Sequence, residues 1–426
     1  MRRFIRPTAG ILVAAGLNTL LFWIARSAGL FGPQVIAVAA QAPLTLSHIL
    51  GASTAGVVGA VALRLVLGAL IQARQTARAA FLAVSALVLA FSFASPVVGI
   101  RGASPLEISL LEIMHIVVAF AAVAAAEWTV KPDWNFGAAP YRERSIAPRT
   151  ALVTGATSGI GAQVALELTR RGYQVIGIGR VADKAREVEK QAENRAGSLS
   201  IHTGDLSLMT EAKRLAGLAQ EHVNGEAFSL VAHCVGTLKP RSAKTIEGLD
   251  ENFATSFLSR VCITQAVRLA QDARLVNVAA AERGHLPRFM RSEMRQGGDI
   301  GTGMKAHGQA QVANDLWTAQ LGRSEKSAFG YGPGAVDTAI RRELPPFLLT
   351  LMKPLFLLDT RAPRAAALDV VRLLLDADLP RSGFASRDGL FIHDPYILDP
   401  PRQDRLLALA DQLMQSATAR KAENPA

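Results

Sequence analysis

Cysteine is close to absent from this chain. Only Cys234 and Cys262 occur in 426 residues, with neither metal-ligand spacing nor the repeated pattern of a disulfide framework, so no metal site is expected and a reducing compartment fits. Aromatic residues are scarce at 6%. The four tyrosines are Tyr141, Tyr173, Tyr331 and Tyr396, and none has a lysine four positions on. Acidic residues are also short, 35 against 46 lysines and arginines, which leaves a net charge of +11. A nucleic-acid partner would want a basic stripe interleaved with aromatics; the chain has none, and much of the basic surplus flanks apolar runs instead.

What the chain has in excess is apolar residues near its start. A mean hydropathy of +0.23 is high for a soluble enzyme, and the excess crowds into the first 130 positions. Four stretches, Gly10 to Leu30, Ser47 to Ile71, Ala79 to Ile100 and Ile108 to Ala126, are each about the length needed to cross a bilayer, roughly 20 residues. The first carries Asn18 and Arg26 and lacks a convincing small-residue cleavage site, so it reads as an anchor rather than a removable signal. With a cytoplasmic N-terminus, Arg2, Arg3, Arg6, Arg74, Arg78, Lys131, Arg142, Arg144 and Arg149 all fall on the inner side and only Arg101 on the outer. That predicts four spans in a bacterial inner membrane, with the remainder of the chain cytoplasmic. Charges inside spans need partners. Arg64 is expected to snorkel to the headgroups, and Arg26 is expected to pair with Glu112. That pair is read either as a packing ion pair or, with His115 on the same helical face, as a small polar site.

From 128 to 149 the composition turns to Trp, Pro, Gly and charge, marking a linker between a transmembrane domain over 1–127 and a second domain over 150–400. Trp128 and Trp134 suit an interfacial belt. Directly after the linker stands a buried-strand run, Ala151-Leu152-Val153, then Thr154-Gly155-Ala156-Thr157-Ser158-Gly159-Ile160-Gly161. An amphipathic helix follows to Arg171, closed by Gly172. Strand, glycine turn and helix together predict a pyrophosphate-binding turn, since the backbone must approach the phosphates and offer them the helix's first N–H groups. Strands alternate with helices through to Phe391, so the fold expected is α/β, a Rossmann doubly wound parallel sheet preceded by an all-α four-helix transmembrane domain.

The spacing TGxxxGIG resembles that of the short-chain dehydrogenase/reductase family, and the resemblance runs over most of Ala151 to Ile397. It implies that Gly155, Ser158, Gly159, Ile160 and Gly161 bind the dinucleotide, with Asp205 and Leu206 at the adenine and Gly236 in the turn after the fourth strand. Pro333, Gly334 and Thr338 would line the nicotinamide side. The second strand ends at Arg180 with no carboxylate, which implies NADP(H), with Arg180 and Lys184 on its extra phosphate. A homodimer is implied by the resemblance alone.

The family's chemical residues are replaced. The helix Ala306-His307-Gly308-Gln309-Ala310-Gln311-Val312-Ala313-Asn314 resembles the retinol-dehydrogenase-like branch, with His307 where the family has its proton-donating tyrosine and Gln311 where it has lysine. Ala280 stands at the serine position. Ser256 stands at the asparagine position, unless a shifted register puts Asn252 there. Two readings follow: a catalytically silent NADP(H)-binding module, or an oxidoreductase of a lipophilic carbonyl or alcohol in which His307 replaces tyrosine and Gln311 holds the ribose. The apolar, proline-broken stretch Leu344 to Leu358 is read as a substrate lid, a membrane-surface segment or core packing. Residues 401–426 are read as a C-terminal helix with a disordered tail from Ser416.

Overall fold

A computed structural model describes residues 2–70, 74–130, 136–137, 139–241, 243–279, 301–338, 360–387 and 389–423. Ala280 and the stretch Leu344 to Leu358 lie outside the described residues, as do the side chains of Trp128 and Trp134. The chain divides into two compact units at Asp133 and Trp134.

The N-terminal unit is built from α1 (Arg2–Ser27), α2 (Leu46–Leu70), α3 (Arg74–Ser92), α4 (Ala94–Gly99) and α5 (Pro105–Val130). Three helices contain segments long and apolar enough to cross a membrane: Gly10–Ser27, Leu46–Leu67 and Pro105–Ala126. The stretch expected to be a further span is not one long helix. Its apolar part is the shorter Ala80–Ser92, and the helix breaks at Phe93 before α4, because Pro96 has no N–H to offer the Ser92 carbonyl. Three two-residue strands, β1 (Ile36–Ala37), β2 (Ala42–Pro43) and β3 (Ile100–Arg101), form an antiparallel patch in which Ile36 faces both Pro43 and Arg101. The end of α4 therefore lies at the same end of the bundle as the loop after α1. Small residues let the helices close up: a Cβ on Gly10 would stand 2.4 Å from the Ala125 Cβ, and one on Gly56 2.5 Å from Val118.

The charges in this unit are arranged otherwise than expected. Among the described residues Arg26 makes no ion pair with Glu112; its guanidinium donates to the Phe31 carbonyl at 3.2 Å. The buried acid is Glu107. Its carboxylate accepts the Phe31 N–H at 2.6 Å and the Ser104 N–H at 2.7 Å. Orphan N–H groups at a turn and a helix start outbid the cation for a carboxylate. Arg64 is only 6% exposed, its guanidinium 5.9 Å from the Phe81 ring centre.

The second unit is a three-layer α/β structure. Its strands are β4 (Thr150–Thr154), β5 (Gln174–Gly179), β6 (Ser198–Thr203), β7 (Phe228–His233), β8 (Leu269–Val278), β9 (Ser327–Gly332), β10 (Gly383–Ser386) and β11 (Gly389–Phe391). They lie in the order β6-β5-β4-β7-β8-β9-β10-β11, all parallel except β11. The helices are α6 (Gly159–Arg170), α7 (Ala182–Ala192), α8 (Met209–His222), α9 (Glu251–Phe253), α10 (Ser259–Ala266), α11 (Met304–Arg323), α12 (Pro363–Leu375) and α13 (Pro400–Glu423). Alternate strand residues feed opposite cores. Ala151, Val153 and Val175 pack with Val164, Leu168 and Val370, whereas Leu152, Ile176 and Ile178 pack with Leu215, Ala219 and Ile263. Burial on both faces is why these strands read as continuous apolar runs. Gly172 ends α6 at φ +84°, as a C′ residue should.

Two boundaries differ from the sequence reading. Residues 136–149 pack on the α/β unit: Phe136 and Ile146 are buried, and Gly137 N–H donates to Asp369 at 2.8 Å. The expected disordered tail is helical through Glu423, because Ala417 is buried beside Leu249 and Phe253 and continues the apolar stripe of Leu406 and Ala410.

Candidate dinucleotide site

In an open parallel sheet the ligand crevice lies beyond the carboxyl ends of the strands, where the winding reverses. Here that point is between β4 and β7, since β4 connects to β5 on one side while β7 continues on the other. The glycine turn sits at it. Gly155 has φ +72°, and a Cβ there would stand 2.9 Å from the Val235 nitrogen. A Cβ on Gly161 would stand 2.3 Å from the Gly155 carbonyl oxygen, and one on Gly159 (φ +58°) 3.1 Å from Thr338. These contacts bring the turn of β4, the loop after β7 and the loop after β9 together. Exposed Ser158 is the N-cap of α6 and spends no side-chain bond on the helix. Ile160, in the first turn of α6, is half-buried, and a helix start carries unpaired N–H groups that suit an anion. A side chain at Gly155 or Gly161 would strike backbone of the turn or of the loop after β7, and one at Gly159 would press on Thr338, so the close turn that a pyrophosphate needs is kept only with glycine.

Arg180 is exposed directly after β5. The nearest acid in sequence, Asp183, is engaged by Arg186. Lys184 is half-buried on α7. Asp205 is exposed and accepts the Ser207 N–H at 2.9 Å, while Leu206 beside it is buried. Gly236 is exposed in the loop after β7, and Pro333 and Gly334 (φ +70°) follow β9.

Around the Thr237 peptide the structure joins residues that sequence had treated separately. His307 donates Nδ1–H to the Thr237 carbonyl at 2.9 Å, and the Thr237 N–H donates to the Ser256 Oγ at 3.1 Å. Ser256 lies in a single π-helical turn, Ala254–Leu258, and its own carbonyl accepts Asn314 Nδ2 at 2.8 Å. Arg260, fully buried, donates to Asn314 Oδ1 at 3.2 Å. Burial pulls its guanidinium down to about 10 and pushes the neighbouring Cys234 thiol up to about 12. Thr237, Asn314 and Arg260 were not singled out from sequence, although an arginine within the apolar run 253–263 was a signal that something inside required a donor. Asn252 is no substitute for Ser256. It is spent on Lys239 N–H at 2.8 Å, the Lys239 carbonyl at 3.0 Å and the Gly303 carbonyl at 2.9 Å, tying a loop to the start of α11.

Burial lowers the His307 pKa, the Thr237 carbonyl opposing this only in part. With Nδ1–H committed, the neutral ring has Nε2 as an acceptor and a base, not a proton donor. Gln311, half-buried one turn later, carries no charge. The four tyrosines contact a carboxylate or arginines. Tyr331 donates to Asp369 at 2.5 Å, Tyr173 lies under Arg149 and Tyr141 beside Arg171 and Arg372, and Tyr396 packs under Arg402.

Residues 149–290 match the short chain dehydrogenase family. A bovine protein named dehydrogenase/reductase SDR family member 13 is 29% identical over 243 residues, 52% of this chain and 61% of that protein. Mouse retinol dehydrogenase 12 is 26% identical over 222 residues, 50% of this chain and 68% of its own. The chain thus spans about 61% of the length of the first of these relatives. Among solved structures, a Mycobacterium paratuberculosis protein described as putative and uncharacterized aligns with a TM-score of 0.46 at 22% identity, over 64% of this chain and 96% of that one. The matched segment holds the glycine turn and β4 to β8.

Proposed function

We propose that this short-chain-dehydrogenase-like domain is a membrane-anchored NADP(H)-binding module in which the family's hydride chemistry is silent. The observation that carries the reading is the Thr237 clamp. Where the family resemblance places a phenol, the chain has an imidazole whose one N–H is spent on a main-chain carbonyl, with an uncharged Gln311 one turn on. A bound nicotinamide dinucleotide would supply a ring that gives or takes hydride. Gly155, Gly159 and Gly161 would hold its phosphates, Asp205 would face its adenine end, and Arg180 with Lys184 would meet an additional phosphate. Arg180 stands where no carboxylate competes, which favours NADP(H) over NAD(H).

His307 Nε2 favours one second reading. A neutral imidazole can accept a proton from an alcohol, so any residual chemistry would run as oxidation of an alcohol, with His307 as base. The retinol named for the mouse relative makes a lipophilic alcohol the class to try. Carbonyl reduction would lack the phenol and the lysine that the family resemblance places at His307 and Gln311.

For the N-terminal unit we propose four crossings, with the fourth made by α3 and α4 together. At 1.5 Å per residue the 19 residues of α3 reach about 28 Å, and the pairing of β3 with β1 returns the chain to the end it left after α1. Both Arg101 and the loop after α1 would then face outward and the dinucleotide site inward, as the basic flanks require.

Calorimetric titration of the detergent-solubilised full chain with NADPH and NADH, beside turnover assays with long-chain alcohols and aldehydes, tests both readings. The silent module is expected to bind NADPH at least about tenfold tighter than NADH and to turn over neither class. NADP+-dependent alcohol oxidation that vanished in His307→Phe would replace it with the second reading, and an NADH preference would remove the role given to Arg180.

A further inference from the structure

The N-terminal bundle has a half-open cavity of about 440 Å³ lined by α1, α2, α3 and α5, inside the range of small-molecule sites, roughly 300–1,000 Å³. Its walls are mostly alanine, glycine, leucine and valine, and five polar side chains stand out among them: Asn18, Ser53, Ser85, Ser92 and His115. Polar groups in the middle of apolar helices are costly and want an occupation. Packing employs these only in part. Asn18 is 1% exposed, and its amide donates to Ser53 Oγ at 3.0 Å and to the Met114 carbonyl at 3.2 Å. That second bond fixes which end is nitrogen, since a flipped amide would set oxygen against oxygen. Asn18 Oδ1 is buried with no partner. His115 donates Nδ1–H to the Leu111 carbonyl at 2.7 Å, which makes Nε2 of the neutral ring an acceptor. The buried group left over, Asn18 Oδ1, is an acceptor, while the serine hydroxyls can serve either way.

We infer that this cavity is a binding site for a lipophilic molecule carrying a hydroxyl, whose O–H is taken by Asn18 Oδ1 and whose chain lies along the small-residue wall of α2. The match is one of sign. A carbonyl or ether oxygen would bring a further acceptor to a buried one that already lacks a donor, whereas an alcohol supplies what is missing. An acyl chain of the bilayer fits the wall but leaves Asn18 Oδ1 without a donor. Gly59 gives a way to close the site without disturbing the helix contacts, because it lines the cavity and a Cβ there would meet nothing within 4 Å.

The test uses the full chain in phosphatidylcholine nanodiscs, with tritiated dodecanol and dodecyl methyl ether as probes. The site predicts saturable binding of the alcohol and about tenfold weaker binding of the ether, the effect of one hydrogen bond to a buried acceptor. Asn18→Leu should bring the two probes to within about twofold of each other, and Gly59→Phe should abolish both. Equal affinity of the two probes for the wild-type chain would overturn the inference without recourse to any variant. So would the absence of saturable alcohol binding, the result expected if bilayer lipid fills the space, or a discrimination that survives Asn18→Leu.

Discussion

Replacing Gly161 by alanine adds one methyl group at the tightest point of the glycine turn. Its Cβ would stand 2.3 Å from the Gly155 carbonyl oxygen and 2.7 Å from that carbonyl carbon, against ordinary C···O approaches of about 3.3 Å or more. The backbone must open by about 1 Å. Gly155 cannot yield freely, because the place a Cβ would take on its other side is already 2.9 Å from the Val235 nitrogen. Overpacking of this kind costs about 1–3 kcal/mol. The displaced group is the start of α6, so most of the cost should fall on nucleotide binding, weakening NADPH by about 10- to 100-fold. A parallel change supplies the control. Gly217 lies in α8 with nothing within 4 Å of its Cβ position, so Gly217→Ala should add about 0.5–1 kcal/mol of stability and leave affinity alone. Calorimetric titration measures binding and thermal unfolding measures stability on the same samples. If Gly161→Ala bound NADPH as tightly as the parent chain, the reasoning that joins this turn to the phosphates would fail.

Other consequences concern pH, cofactor and topology. His233 is fully buried at the end of β7, with Nε2 2.8 Å from Thr264 Oγ1, and burial holds its pKa well below 6.5. The unfolded chain then binds the proton first, so the contribution of His233 is complete above about pH 6.5 and is lost as pH falls below it, by up to about 1.4 kcal/mol per pH unit. Denaturant unfolding of the parent and His233→Asn between pH 8 and 5.5 should show a smaller loss in the variant; parallel curves would refute the assignment. Arg180→Ala should cost NADPH about tenfold or more in affinity while leaving NADH within about twofold, read from the same titration, and an equal loss for both would mean that Arg180 meets a group the two share. A cysteine placed at Arg101 should react with a membrane-impermeant maleimide in intact cells, whereas one placed at Arg180 should react only after lysis; the reverse pattern would invert the proposed orientation.

The α/β unit was legible in the sequence because its signals are local. A strand buried on both faces writes itself as Ala-Leu-Val, a turn that admits no Cβ writes itself as glycine, and both operate within a dozen residues. Arg180 was legible for the same reason, its place set by the end of one strand. Side chains that span sequence distance were not. Glu107 rather than Glu112 meets the turn after α1, since either acid was available by composition and only the fold brings the Phe31 N–H to one of them. Spacing alone admits Asn252 in place of Ser256, but only the fold spends its amide on tying loop to helix, and nothing local to Ala417 signals the apolar cluster far upstream that it joins.

The chain's residues alone determined that it holds an apolar N-terminal bundle followed by a parallel sheet with a glycine turn, because periodicity and steric exclusion at glycine belong to neighbouring residues. Tertiary structure alone decided that His307 spends its N–H on Thr237 and that Asn18 keeps an acceptor without a donor. Which hydrogen bonds a buried polar group makes depends on atoms brought from other parts of the chain, and no local pattern encodes that.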